Sequence, residues 1–270
     1  MEANPSTMSW RRVSLAGVEL DALTSAQLIA YVLASLRDGR GGSVMTPNLD
    51  HLRQYRQNPE VRPLFHAASL VVADGKPLVW ASHIQGTPLP GRVAGSELIL
   101  SVTEAAAESR LRLFLVGGAP GTAERASDVL ANRFPGIDLV GVRFPPFGFE
   151  RDLAEVTAIV NAIKAASPDL VYVGLPFPMA DRLILRLREV LPEAWFFALG
   201  VSFSFVAGDL RRAPQWMQAS GVEWLHRLAS EPRRLFRRYL VQGVPFALML
   251  FARALASRLA QPARRRTGRQ

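Results

Sequence analysis

The sequence predicts an α/β fold in which a mostly parallel sheet carries helices on both faces, followed by a helical C-terminal appendage. Three observations carry this. Seven short apolar runs alternate with amphipathic helical patterns as far as Gly208. Strand patterns then stop, and consecutive short helical patterns follow. The charge divides at nearly the same place: residues 211–270 hold 13 Arg, no Lys and 2 Glu, a net +11, whereas residues 1–210 sum to −2. Strand–helix alternation is the mark of a parallel sheet covered on both sides. A basic tail on a slightly acidic body points to nucleic acid or an anionic membrane surface.

The strand-like runs, in order, are VSLAGVEL (13–20), GSVMTP (42–47), SLVVAD (69–74), LRLFLVGG (111–118), IDLVGVR (137–143), DLVYVGL (169–175) and AWFFALGV (194–201). Most are continuous and rich in Val, Leu or Phe, the pattern of strands buried on both faces. Between them lie helices with recognisable ends. TSAQLIAYVLASLRDG opens on a polar cap and stops at Gly39. GSELILSVTEAAAESR, PGTAERASDVLANRFPG and RDLAEVTAIVNAIKAAS follow the same grammar, and PMADRLILRLREVLP is bounded by prolines. The result is a Rossmann-like arrangement over residues 1–208, a basic helical appendage over 209–260, and a low-complexity end, QPARRRTGRQ, expected to be disordered over 261–270.

Composition excludes several chemistries. There is no cysteine, which removes disulfides, thiolate metal sites and cysteine nucleophiles. The four His show no HxxxH or HExxH spacing and no D-x-D triplet occurs, so neither a metal nor a cofactor is expected. The N-terminus has no apolar leader, and no signal peptide is read there. LVQGVPFALMLFA (240–252) is interrupted by Gln242, Gly243 and Pro245 and stopped by Arg253. It falls short of the roughly 20 apolar residues of a spanning helix, so no transmembrane helix is expected.

In open parallel sheets ligands bind at the carboxyl ends of strands. Thr46-Pro47-Asn48, Asp74-Gly75, Gly117-Gly118, Gly174 and Gly200 all fall there by this reading. Asp74 ends an apolar run and is either a general base or the N-cap of a helix beginning near Lys76-Pro77, which the local pattern favours. Thr46 and Asn48 hold sugar hydroxyls, or Asn48 caps the next helix. Arg92 neutralises a diphosphate or is solvated. Gly95-Ser96 opens a helix and is a ligand contact or a cap. Gly117-Gly118-x-x-Gly121 is a phosphate cradle or a tight turn. In the appendage, GVEWLHRLASEPRRLFRRYL interleaves Arg with Leu, Phe, Trp and Tyr. That suits an interfacial anchor or a solvated face packed on the core. No nucleic-acid-binding motif is found.

TPNLDHL, ADGKPLVW, GRVAGSEL, LFLVGGAPGTAE, PDLVYVGLPFP, RRAPQWMQASGVEWLHRL and EPRRLFRRYL occur in the order of the WecG/TagA/CpsF glycosyltransferases (glycosyltransferase family 26). The resemblance runs from about Leu15 to about Phe246. It implies an inverting, metal-independent transferase at the cytoplasmic face of a bacterial membrane, peripheral on its inner side. The donor would be a UDP-sugar and the acceptor a lipid-linked diphosphate sugar. It also implies that Asp74 is the base, that Thr46, Asn48 and Arg92 bind substrate, and that the appendage closes the site and docks on an anionic membrane. Arg212, Arg227, Arg234 and Arg237 are then its anion contacts, with Gly95, Ser96, Gly117, Gly118, Gly174 and Ser204 lining the substrate site. Two departures stand out. Where relatives often read PKQE this chain has Pro178-Met179-Ala180-Asp181, and where they often read FDF it has Phe203-Ser204-Phe205. Both are expected to remove polar reach from the donor pocket, which leaves the donor a hexose or an N-acetylhexosamine. A catalytically inactive relative and a nucleotide-binding protein are the competing readings. A homo-oligomer is compatible with the sequence.

Overall fold

In a computed structural model describing residues 9–260, the sheet has six strands in the order β4-β3-β8-β7-β5-β6, every pairing parallel. They are β3 (Gly42–Met45), β4 (Leu70–Val71), β5 (Arg112–Gly117), β6 (Asp138–Arg143), β7 (Leu170–Gly174) and β8 (Trp195–Ala198). The expected tail over 261–270 lies outside the described residues.

Side-chain alternation explains the continuous apolar runs. Leu113, Leu115, Leu170, Tyr172, Trp195 and Phe197 point to one face, into a core shared with α1 (Ser25–Arg37), α5 (Gly95–Glu108) and α6 (Thr122–Arg133). Phe114, Val116, Val171, Val173 and Phe196 point to the other, against α7 (Leu153–Ala166) and α8 (Met179–Val190). Successive strand residues face opposite sides, so a strand covered on both sides has no polar position to spare.

The first predicted strand is in fact two. β1 (Arg12–Leu15) and β2 (Val18–Asp21) form a separate antiparallel hairpin turning at Ala16-Gly17, both at positive φ. Asp21, only 2% exposed, accepts from Trp10 Nε1 (2.8 Å), Arg12 Nε (3.0 Å) and the Val71 backbone N–H (2.7 Å). That last bond gives the edge strand β4 a partner it lacks in the sheet. The hairpin also covers a second core cluster with α2 (Leu49–Gln57), α3 (Arg62–Ala67) and α4 (Lys76–Gln85).

The appendage is uneven. After α9 (Ser202–Val206) come α10 (Gln215–Ser220), α11 (Glu223–Ser230) and α12 (Pro232–Phe236), and among the described side chains of residues 209–243 only Ala213 and Leu235 are buried hydrophobics. α13 (Val244–Ala260), by contrast, returns Phe246, Leu250 and Ala254 to the second core cluster and packs on α4. From Pro232 to Ala260 the helix is continuous for 29 residues and, by length and composition, long and apolar enough to cross a membrane. This differs from the interrupted run expected from the sequence. A π-helical segment at Arg237–Gly243, closed by Val244 N–H to Tyr239 O, carries the chain past Gly243 into Pro245. Proline lacks the N–H and crowds the preceding turn, and a π-bulge is a common way for a helix to continue around such a site.

Candidate active site

The turns after β3 and β4 are joined by a single backbone bond, Asp74 N–H to Pro47 O (2.9 Å), and Val93 N–H to Ala73 O (2.8 Å) brings the Arg92 loop alongside. These bonds set Asp74 beside the loop of Arg92, which with Lys76, Glu97 and Gln218 lines a cleft of about 300 Å³.

Asp74 does not cap α4. The N-cap position belongs to Gly75 at φ +124°, and no side chain caps the helix. A residue with a Cβ is strained there. The Asp74 carboxylate has no hydrogen-bond partner among the described residues and is crowded by protein on almost every side. Loss of solvation pushes its pKa up to about 7, against the lowering charge of Arg92, with Glu223 and Glu97 raising it further and Arg227 lowering it. A desolvated acid beside a cleft-lining arginine is poised to take a proton near neutral pH.

Arg92 is only 13% exposed, and both ends of its guanidinium are held by carboxylates. One is Glu97 of α5 (2.5 Å) and the other is Glu223 at the start of α11 (2.9 Å). Arg212 reaches the same Glu97 (3.2 Å) and Gln218 Oε1 (3.0 Å). Arg227, one turn beyond Glu223, stacks its guanidinium 5.9 Å from the Phe205 ring centroid. The appendage therefore covers the cleft with alternating charge. It is seated closely: a Cβ on Gly221 would fall 2.8 Å from Lys76 Cβ and from Trp80 Cζ2.

The remaining sequence-predicted residues separate into groups. Thr46, 9% exposed, lies beside the first turn of α5, where a Cβ on Gly95 would sit 3.6 Å from its Oγ1. Neither Gly95 nor Ser96 is a cap; the N-cap of α5 is Ala94, without a side-chain bond. Asn48 does cap: its Oδ1 accepts from Asp50 N–H (3.0 Å) and His51 N–H (3.3 Å), leaving its amide end for a ligand. His51 returns the bond by accepting from Asn48 N–H (3.0 Å). Burial, and next the charge of Arg238, hold its pKa down to about 4, so it is neutral and not a proton shuttle.

Gly117 and Gly118, of the expected Gly117-Gly118-x-x-Gly121 cradle, pack tightly at the strand ends with Gly174. Gly118 N–H is taken by Gly174 O (2.8 Å), and a Cβ on Gly174 would lie 2.5 Å from Phe203 Cδ2. Ser204 is half-buried on α9 and its carbonyl accepts from Leu210 N–H. Ala180, expected at the donor pocket, is 1% exposed in the core beneath α8. Arg234 is exposed and paired with Glu231 (2.6 Å), and Arg237 is exposed, so neither joins the cleft in this arrangement. Arg238 forms an ion pair with Asp50 (3.2 Å). Sequence reasoning missed Glu223 and Gln218. The one available signal for Glu223 was its i,i+4 spacing to Arg227 on one helix face.

A parallel α/β sheet thus carries a desolvated acid and converging guanidinium groups near its strand ends. The family is more specific: the chain matches the Glycosyl transferase WecG/TagA/CpsF family over residues 13–260 and belongs to it. It is 29% identical over 221 residues to a relative from Bacillus spizizenii, covering 82% of this chain and 84% of that one. It is 26% identical over 245 residues to one from Staphylococcus aureus (strain MW2), covering 90% and 93%. Both relatives are named N-acetylglucosaminyldiphosphoundecaprenol N-acetyl-beta-D-mannosaminyltransferase.

Proposed function

We propose that this chain moves a hexose or N-acetylhexosamine from a UDP-sugar to the sugar of a polyprenyl-diphosphate-linked acceptor, in the synthesis of a bacterial cell-surface polysaccharide or exopolysaccharide. The observation that carries this is the Asp74 carboxylate: it caps nothing, bonds to no side chain and is desolvated beside Arg92. Asp74 takes the proton of the acceptor hydroxyl as that oxygen bonds to the donor's anomeric carbon. The bond from that carbon to the β-phosphate oxygen breaks with inversion, and its electron pair leaves on UDP. Arg92, Arg212 and Arg227, with the uncapped backbone N–H groups at the start of α5, stabilise the departing diphosphate without a metal. Thr46 and the Asn48 amide hold sugar hydroxyls. The two relatives support the acceptor class, since their names place a diphosphoundecaprenol-linked sugar in that role.

The appendage docks on the anionic inner face of the cytoplasmic membrane. α13 exposes Val244, Leu248, Leu255 and Leu259 along one stripe, with Arg253 and Arg258 also exposed. Each basic residue near such a surface contributes about 1 kcal/mol. An interfacial pose is favoured over a spanning one, because insertion would withdraw Phe246, Leu250 and Ala254 from the core.

The test is a screen of UDP-hexoses and UDP-N-acetylhexosamines against a synthetic polyprenyl-diphosphate N-acetylglucosamine, with excess EDTA, read by mass spectrometry of the product. Transfer of one sugar in EDTA is expected. No transfer from any donor overturns the reading, and transfer restored only by added Mg²⁺ or Mn²⁺ overturns its metal-free mechanism.

A further inference from the structure

Arg92 is the cation nearest in role to a substrate diphosphate, yet neither end of its guanidinium is free. Glu97 belongs to the same helix start as the cleft wall, so its pairing with Arg92 is internal to the body. Glu223 is different. It is the first residue of α11, it reaches Arg92 from 131 residues away in sequence, and it is 20% exposed. Around it the appendage is thinly held: α11 has no buried residue, and its contacts near the cleft are the seat of Gly221 on Lys76 and Trp80, the bond of Arg212 to Glu97 and the stacking of Arg227 on Phe205. A carboxylate and a phosphate oxygen use the same N–H fork of a guanidinium, so Glu223 and a diphosphate compete for Arg92.

We infer that Glu223 is an internal anionic ligand for Arg92 that the substrate's diphosphate displaces, so that α11 is latched to the body when the site is empty and released from Arg92 when a diphosphate binds. This rests on the reading of the cleft as a UDP-sugar site. The linkage is reciprocal: a diphosphate that binds Arg92 displaces Glu223 from it, and a variant lacking the Glu223 charge must bind diphosphate more tightly. Arg227, on the same face of α11 and itself close enough to influence Asp74, stays near the anion after Glu223 leaves. The exchange thus replaces a carboxylate–arginine contact with arginine–diphosphate contacts.

The experiment uses the full chain and its Glu223→Gln variant, with UDP and inorganic pyrophosphate as probes. Affinities are measured by calorimetry, and backbone hydrogen exchange is followed over residues 222–230. Removing one competing charge-assisted bond should tighten UDP and pyrophosphate by about tenfold. In Glu223→Gln without a probe, exchange in α11 should be raised, because the pair with Arg92 is gone. Equal or weaker probe binding by Glu223→Gln, or α11 exchange that the substitution leaves unchanged, overturns the latch. If the native chain binds pyrophosphate but not UDP, the nucleotide-sugar reading fails while the latch is still judged on pyrophosphate. If neither probe binds either protein, no anion competes with Glu223 and the latch is wrong.

Discussion

Asp74 and Asp181 share a pKa pushed up to about 7 and share its cause, loss of solvation. They differ in what surrounds them. Asp74 lies next to the Arg92 loop, with Arg92, Arg227, Glu97 and Glu223 within electrostatic reach. Asp181, in the first turn of α8, is 8% exposed beside a cavity of about 10 Å³, the size of one water, lined mainly by Ser43, Val44, Met45, Leu64 and Ile184. Its only recorded counterweight is its own backbone N–H. A raised pKa therefore does not mark a catalytic acid or base in this protein. Convergent charges around the acid are what set Asp74 apart.

The comparison breaks most directly on turnover. Asp74→Asn should lower transfer by about 10²–10⁴-fold, the usual contribution of a general base, whereas Asp181→Asn should stay within about threefold per folded molecule. Steady-state rates on protein of matched circular dichroism decide this. Similar losses in both variants would erase the distinction.

On stability the two should behave alike. An acid whose folded pKa exceeds its unfolded value of 3.8 binds more protons folded than unfolded between the two values. Each carboxylate then costs stability progressively as pH rises from about 4 to 7, with the full deficit above about 7. Either Asn variant should gain about 2 kcal/mol at pH 8 and nothing near pH 3. Urea unfolding at the two pH values checks it; a gain that persisted at pH 3 would assign the effect to packing.

A smaller effect separates them again. Glu97 raises the Asp74 pKa and is not among the groups acting on Asp181. Glu97→Gln should therefore move the ionisation seen in the activity profile downward and leave the pH dependence contributed by Asp181 to stability unchanged. A profile that moved upward would contradict the charge ring drawn around Asp74.

The sheet was legible because its strands are apolar on both faces, and most helix limits were set by residues that cap or break. The hairpin was misread as one strand because Ala16-Gly17 interrupts an apolar run without a polar signal. The strand ends were legible as a rim, but the rim is not uniform. Gly117-Gly118-x-x-Gly121 read as a phosphate cradle or a tight turn, and only tertiary approaches show how closely its start is packed: the Gly174 backbone on Gly117, and Phe203, 29 residues beyond Gly174, on Gly174 itself. Asp74 looked like a cap because aspartate favours that position; Gly75 at φ +124° moved the cap one residue on and freed the carboxylate. Ala180 was placed at the pocket by motif alignment, and the burial of one helix face put it in the core. Glu223 and Arg92 are joined by a tertiary contact that no local pattern encodes.

The central claim, that Asp74 is the base, is tested most directly by the pH dependence of kcat/KM for transfer to a soluble acceptor analogue, whose hydroxyl does not titrate in the range used. The native chain should show kcat/KM rising through a single ionisation near pH 7, the pKa held by Asp74 in its desolvated cleft, and the residual activity of Asp74→Asn should lack that ionisation. A native profile already flat above about pH 5, where an ordinary solvated aspartate is ionised, or an Asp74→Asn profile that keeps the rise near pH 7, would contradict it.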